Sequence, residues 1–390
     1  MQEIPPIFER EMDFDPRGDF EAFAKLAPAK WAVYLLCDAA DRPVQLLCVK
    51  NLRYSLRRRL GSDGEQGGVS RRVNYRELVR RVKWRRVDSA FEADWIYYEA
   101  ARAVFPESYR GMVGFRPAWF VHVDPEAGFP RYVKTTDLSP RPGALIGPLE
   151  DKHAAARLIE TVEDAFDLCR YFNVLTQAPT GAACAYKEMG KCPAPCDGSV
   201  AMAQYRRLVE WSARILVDPA EFLRGHTERM KAAASELRFE TAAKIKAYID
   251  QVGQFGKGSF RHMGRLKDFT YLSFQHGPHP LRATARVFLI TPGWIDEILG
   301  LAGEPKAAEV LREALTLAEE RAVNGVDAIG GERIGIVAHH LFSPKQGHGV
   351  FLRLDGIDEK AIVAGYRELK KQRVEEEKDD EGVMKELQSL

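Results

Sequence analysis

Four thiols gathered into twenty-eight residues constrain this chain more than any other feature. Cys169, Cys184, Cys192 and Cys196 are separated by fourteen, seven and three residues, in a protein of 390 residues with six cysteines. The stretch "CAYKEMGKCPAPCDG" is interrupted by Pro193, Pro195 and two glycines. Proline removes backbone donors and fixes φ, so this stretch reads as a stiffened loop and not as a long helix or strand. Four thiolates in one loop-rich module can hold a soft metal ion or a cluster. Zinc and iron–sulfur clusters both accept four thiolates, so the spacing leaves the two open. The alternative is four unrelated cysteines, some of them buried. Cys37 and Cys48 lie inside apolar runs and read as core residues.

An apolar fraction of 45% allows packed cores, and 29% charged residues suit a water-facing surface. No apolar run approaches the roughly 18–20 residues of a membrane span, so no membrane partner is expected. The opening "MQEIPPIFEREMDFDPRGDF" has neither a basic leader nor an apolar stretch. A cytoplasmic, reducing setting is therefore the expectation, where structural disulfides are rare.

Net charge is only +1, but Lys50 to Arg86 holds thirteen Lys and Arg against Asp63, Glu65 and Glu77. Arg53, Arg57, Arg58, Arg71, Arg72, Arg80, Arg81, Lys83 and Arg85 are candidate nucleic-acid contacts, each able to neutralise a phosphate. Tyr54, Tyr75 and Trp84 offer stacking faces among them. The bland alternative is a salt-bridged solvent face, against which the local shortage of acids argues.

The chain reads as α+β and multidomain, in four segments. Residues 1–123 open with two candidate strands, "WAVYLLCD" and "PVQLLCV", joined by a turn. Two basic helical stretches follow, "NLRYSLRRRLG" and "NYRELVRRVKW", around a Gly/Ser-rich loop, then the helix "SAFEADWIYYEAARAVF". Residues 124–198 contain Pro/Gly-rich connectors, one helix and the cysteine cluster. Residues 199–253 are helical throughout, with Asp218 and Pro219 as a start signal. Residues 254–390 mix strand-like runs ("FTYLSF", "ATARVFLI", "RIGIVAHHLF", "GVFLRL") with helices, and end in a mixed-charge tail that reads as solvated. His339, His340 and His348 are metal-like in composition only.

The order of these landmarks resembles the N-terminal half of the UvrC excinuclease family of nucleotide excision repair. "AVYLLCDAADRPVQLLCVKNLRYSLRRRL" resembles its GIY-YIG nuclease domain, a small α/β sandwich. "GFPRYVK" and "GALIGP" resemble the stretch that follows. The cysteine quartet resembles the family's Cys-rich module, and "ELRFETAAKIKAYIDQV" its UVR helical hairpin. The resemblance implies an iron–sulfur cluster on Cys169, Cys184, Cys192 and Cys196, structural zinc being the alternative. It implies DNA and a UvrB-like helicase as partners. The helicase would dock on Leu237, Arg238, Phe239, Glu240, Ala243 and Ile245, with Phe239 marking the turn of the hairpin.

The resemblance also implies a GIY-YIG site, and here the chain departs from it. Tyr34 stands at the first motif tyrosine, and Glu99 at the helix glutamate that holds a divalent Mg or Mn ion. The second motif, close to Tyr-Val-Gly-Lys in the family, meets Gln45, Leu46, Leu47 and Cys48. The catalytic arginine falls at Ser55, a further tyrosine at Arg59, and the asparagine of a closing Tyr-Asn pair at Arg110. Arg57 and Arg58 lie about 200–300° round the helix from Ser55 and do not face the same way. One such transition-state donor is typically worth about 3–4 kcal/mol. The expectation is therefore a truncated, divergent UvrC-like protein with an impaired nuclease, acting as an adaptor. The alternatives are an active, atypical endonuclease making a metal-dependent 3′ incision, and a metal-stapled interaction scaffold that does not bind DNA. "IDEILGLAGEPKAAEVL" reads as an amphipathic helix pair, and the C-terminal segment shows neither an RNase H-like acidic motif nor helix-hairpin-helix glycines.

Overall fold

The computed structural model describes residues 7–61, 74–278, 284–321, 323, 325–343 and 349–372. Arg71, Arg72, the Gly/Ser-rich loop, His348 and most of the mixed-charge tail lie outside the described residues. The chain is an α+β protein with three four-stranded antiparallel sheets.

The first unit contains β1 (Arg10–Asp13), α1 (Phe20–Leu26), β2 (Ala32–Cys37), β3 (Pro43–Val49), α2 (Leu52–Leu60), α3 (Tyr75–Leu78), β4 (Arg81–Arg86) and α4 (Ala90–Val104), with sheet order β1-β4-β2-β3. Asp38 turns β2 into β3 by accepting the amides of Ala40 and Arg42 at 2.8 and 2.9 Å. Asn51 and Ser89 cap α2 and α4 by accepting from Tyr54 N and Glu92 N. Period-two alternation divides β2. Ala32, Tyr34 and Leu36 pack with Val82, Trp84 and the leucines of α2. Val33, Leu35 and Cys37 pack with α4. The expected basic helix "NYRELVRRVKW" is corrected: only Tyr75–Leu78 is helical, and Arg81–Arg86 is a central strand. Val82 and Trp84 alternate inward, and pairing with both β1 and β2 outweighs the helical propensity of the arginines.

The middle unit contains β5 (Trp119–Val123), β6 (Tyr132–Thr135), β7 (Ala144–Leu149), α5 (Lys152–Ala165), the short α6 (Phe172–Leu175) and α7 (Ala185–Glu188), α8 (Met202–Val217), α9 (Ala220–Ser235), α10 (Phe239–Val252) and β8 (Gly264–Arg265). β5, read from sequence as the end of the first segment, lies inside the middle sheet of order β6-β5-β7-β8. The amphipathic α5 buries Ala154, Ala155, Leu158 and Val162 against Val121, Val123 and Ile146. Tyr132 Oη and Ser212 Oγ, 2.7 Å apart, tie α8 to the sheet.

The last unit contains β9 (Tyr271–His276), β10 (Ala285–Thr291), β11 (Trp294–Leu301), α11 (Ala307–Glu320), α12 (Ala328–Phe342), β12 (Val350–Arg353) and a helix over residues 359–372, with sheet order β11-β10-β9-β12. Two expectations are corrected. "IDEILGL" is strand β11, because Pro292 and Gly293 (φ 83°) make a two-residue turn that folds it back on β10. "RIGIVAHHLF" belongs to α12, which Asp327 starts by accepting Gly330 N at 2.7 Å.

The first and last units share one core, in which α4 lies between the first sheet and α12. Phe91 meets Phe288 and Phe351 edge-on at 5.5 and 5.4 Å. Beside them lies an ion network: Arg286 bonds Glu297 at 2.8 Å and reaches Asp88 and the fully buried Glu92 at 3.3 and 3.6 Å. Burial pushes the Glu92 carboxyl up to about 7, against the pull of Arg286. A carboxyl raised above its ordinary value of 4.5 stabilises the fold while protonated, and that contribution is lost as pH rises from about 4.5 through about 7. The stability of the wild type relative to Glu92→Gln is therefore expected to fall by up to about 3 kcal/mol between pH 4.5 and pH 8. Denaturant melts of both proteins across that range check this; parallel pH profiles overturn it.

Candidate functional site

Tyr34 is fully buried on β2, yet its phenol is not isolated. Its Oη lies 2.8 Å from Ser55 Oγ on α2, and the Arg59 guanidinium is within hydrogen-bonding reach. Burial raises the Tyr34 pKa, while Ser55 and Arg59 pull it back. Arg59 also donates to Gln45 Oε1 at 2.9 Å and stacks over Tyr75 at 5.5 Å. These five residues make a donor-rich cluster of two phenols, a hydroxyl, an amide and a guanidinium, with no carboxylate among them. Sequence reasoning weighed Arg57 and Arg58 as substitutes and missed Arg59. The signal was its i+4 spacing from Ser55, which puts it about 40° round the helix and one turn on.

Glu99 stands elsewhere. It projects from α4, on the side of the sheet opposite the Tyr34 cluster, and its two oxygens accept from Arg333 Nε and Arg102 at 2.7 Å each. It lines a cleft of about 960 Å³ together with Trp294, Asp296 and Arg321 of the last unit. Tyr34 and Glu99, expected from the resemblance to serve one centre, are not brought together. Arg110 and Tyr109, at the closing pair, both donate to Glu332 of α12, at 3.0 and 2.9 Å.

The basic stretch is divided as well. Arg57 and the exposed Arg58 lie on α2, while Arg81, Lys83 and Arg85 alternate on β4 with the inward Val82 and Trp84. The expected shortage of acidic partners does not hold, because the fold imports acids from distant segments. Arg57 pairs with Glu21, Arg81 with Asp13, Lys83 with Asp41, and Arg85 with Glu9 and Glu297. Arg53 donates to the carbonyls of Ala27 and Lys25, and Arg80 to those of Glu77 and Val79. Trp84 is buried, leaving Tyr54 as an exposed ring.

In the cysteine module Cys169, Cys192 and Cys196 are buried and Cys184 is half-buried, at the start of α7. The Cys169 thiol donates to Tyr171 O at 3.6 Å, and its interaction with Cys192 raises the Cys169 pKa and lowers that of Cys192. Cys196 is raised by burial, with further contributions from Asp197 and Cys192. Tyr205 of α8 accepts the Cys169 amide at 3.1 Å. Ala194 takes a left-handed φ of 55° between the last two cysteines. The donor chemistry suits a thiophilic metal; among the described residues no group of three or more His, Cys, Asp or Glu is arranged to hold an ion. Cys48, read as core, is exposed on β3, where its sulfur accepts from Trp31 Nε1 at 3.2 Å; Cys37 is buried. His340 sits 3.0 Å from Asp94 inside the α4–α12 interface.

The α9–α10 hairpin is anchored at its base by Phe166, Trp211, Phe222 and Tyr248, with ring centroids 5.3–6.3 Å apart. Its tip is bare: Leu237 and Phe239 are 74% and 64% exposed, Glu240 and Ala243 are exposed, and Ile245 is half-buried. The turn falls at Leu237, two positions before Phe239, which begins α10 and had been assigned to the turn. Arg238 N bonds Ala233 O and Leu237 N bonds Ala234 O, a Schellman ending that forces φ 61° on a leucine.

Residues 118–214, which run from β5 through the cysteine module into α8, match the family model described as UvrC/Cho excinuclease, middle domain. The middle of this chain is UvrC-like. Among curated proteins, the UvrABC system protein C of Trichlorobacter lovleyi is 25% identical over 230 residues, covering 58% of this chain and 37% of that protein. That of Caldanaerobacter subterraneus subsp. tengcongensis is 30% identical over 133 residues, covering 33% and 21%. That of Desulforudis audaxviator is 30% identical over 139 residues, covering 35% and 22%. The chain thus spans between about a fifth and little more than a third of these relatives. No solved structure matches it. The matched UvrC-like unit holds all four cysteines of the quartet; the Tyr34 cluster and the hairpin tip lie outside it. Among the described residues no helix is long and apolar enough to cross a membrane.

Because the Tyr34 hydroxyl is buried, removing its partner is expected to cost more than removing the hydroxyl itself. Ser55→Ala should lower unfolding free energy by about 1–2 kcal/mol, and Tyr34→Phe by less, in urea melts. The reverse order would mean that the two hydroxyls are not paired.

Proposed function

We propose that this chain is a nucleotide excision repair factor of UvrC type, working as an adaptor that contacts DNA and docks a UvrB-like helicase, with an impaired GIY-YIG nuclease. The single observation that carries the impairment is the separation of Tyr34 from Glu99. A GIY-YIG reaction needs a tyrosine near the attacking water, a cation on the phosphate and a metal-holding carboxylate at one point in space. Here both Glu99 oxygens are engaged by arginines, and the guanidinium beside Tyr34 is Arg59. Support for the repair role comes from the UvrC-like middle unit. The reading includes a thiolate centre, iron–sulfur or zinc, on Cys169, Cys184, Cys192 and Cys196, for which the four thiols must draw together around the metal.

DNA contact rests on the half-buried Ser55 and Arg59, whose donors suit a phosphate oxygen, and on the exposed Arg58, with Tyr34 buried behind them. The acid-paired Arg57, Arg81, Lys83 and Arg85 serve less well, since each must first leave its carboxylate. The docking surface is the hairpin tip, with Leu237, Phe239, Glu240, Ala243 and Ile245. A left-handed leucine left in water is a local cost that a contact with another protein offsets.

The rival reading is an active endonuclease using Mg or Mn at Glu99. Damaged duplex incubated with manganese separates the two. No nick is expected from the wild type; a nick abolished by Glu99→Gln establishes the nuclease. Arg59→Ala is expected to weaken duplex binding and to reduce the slope of log affinity against log salt by about 1. An unchanged slope removes Arg59 from the interface, and wild-type protein that binds no duplex leaves the scaffold reading. At the hairpin, Leu237→Gly should stabilise the fold by roughly 0.5–1 kcal/mol while weakening helicase binding tenfold or more. Phe239→Ala should weaken binding as much and leave stability within about 0.5 kcal/mol. Loss of stability without loss of binding would make the tip a packing element. Iron and zinc analysis of anaerobically purified protein tests the thiolate centre, which fails if neither metal copurifies.

A further inference from the structure

Beside the cysteine loops lies a row of alternating arginines and aromatic rings that neither the sequence reading nor the UvrC likeness uses. Arg131, at the start of the edge strand β6, is exposed and lays its guanidinium 3.7 Å from the centroid of Phe172. Phe172 begins α6, and its neighbour Tyr171 approaches Tyr186 of α7 at 5.7 Å. Tyr186 also carries the Arg170 guanidinium, 4.3 Å from its centroid. Tyr171 and Phe172 are 47% and 37% exposed, although the module has a buried core a few residues away.

We propose that this row is a platform for single-stranded nucleic acid, on which unpaired bases stack against Tyr171, Phe172 and the guanidinium of Arg131. The inference deepens the DNA-contact reading and rests on it. Three observations converge. The rings are exposed on a module otherwise well packed, and an exposed aromatic face is what an unpaired base occupies. Arg131 has no ion-pair partner among the described residues, unlike Arg170, which pairs with Asp164, and Lys134 of the same strand is exposed too. A backbone phosphate therefore meets a cation here that no carboxylate already neutralises. The guanidinium groups of Arg131 and Arg170 already sit over their rings, so little rotamer freedom is lost on binding. Duplex DNA keeps its base faces covered and can offer this row only phosphates, so the rings select the unpaired strand. A protein partner would gain from the rings but not from the uncompensated cations.

The test is fluorescence anisotropy of the full chain with fluorescein-labelled dT20 and with a hairpin duplex of matched charge. The double variant Tyr171→Ala/Phe172→Ala is expected to weaken dT20 binding at least tenfold, since base–ring stacking is worth roughly five- to hundredfold per base. Its duplex affinity should change less than twofold. Tyr171→Phe should bind dT20 as the wild type does, because it keeps the ring. If the double variant melts early, Arg131→Glu decides, with the same loss expected on dT20. A dT20 affinity within twofold of wild type in a folded variant overturns the platform and leaves the rings to a protein partner. Wild-type protein that binds duplex but not dT20 overturns the platform alone; one that binds neither overturns the DNA reading as well.

Discussion

Helix α4 has no solvent side to spare, and the rest of the arrangement follows from that. Phe91, Ala93, Ile96, Tyr98, Ala100 and Ala101 are all buried, so the helix needs an apolar surface on more than one face. One surface is the first sheet; the other is α12 and the sheet of the last unit. Burying several large side chains in this way is worth on the order of 10 kcal/mol before entropic costs. The first and last units, far apart in sequence, are thereby welded into one body. Gly335 of α12 lets the connector ahead of β5 pack close, since a Cβ there would sit 2.8 Å from Arg116 O.

That weld decides the chemistry of the charged groups around it. Glu99, Glu92 and Asp94 all project from α4, and each meets a basic partner from the last unit: Arg333, Arg286 and His340. A carboxylate so held is poorly placed to collect a metal ion, because the ion would have to displace a guanidinium or enter a network that is already compensated. On the other side of the sheet the opposite holds. Tyr34, Ser55 and Arg59 gather donors without an acid, a surface that an oxyanion can complete. The sheet between them separates a face rich in donors from one whose carboxylates are paired with cations of the last unit.

Much of this was legible from residue order. The β2–β3 hairpin, α4, the helical stretch around the hairpin and the cysteine loop follow from local pattern, capping residues and proline placement. The misreadings share a cause. Arg81–Arg86, Ile295–Leu301 and Arg333–Phe342 were each assigned from their own composition, yet pairing with other elements decided them: β1 and β2 for the first, β10 across a two-residue turn for the second, α4 for the third. The basic stretch looked unpaired for the same reason, since Glu9, Asp13, Glu21 and Glu297 are distant in sequence and adjacent in space. Arg59 was readable as the i+4 neighbour of Ser55, but only the fold shows that this face of α2 looks at Tyr34.

The sequence by itself determined the local events: where chains turn, which helices are capped, where thiols cluster, and that a leucine and a phenylalanine stand at the tip of a helical pair. These depend on residues within one or two turns of each other, whose interactions need no other part of the chain. Only the tertiary structure decided which charges are neutralised, which face of the sheet Tyr34 and Glu99 occupy, and which of the four thiols are buried. Those outcomes depend on pairings between segments tens to hundreds of residues apart. Coulomb and packing energies are set by distance in space, and distance along the chain does not report it.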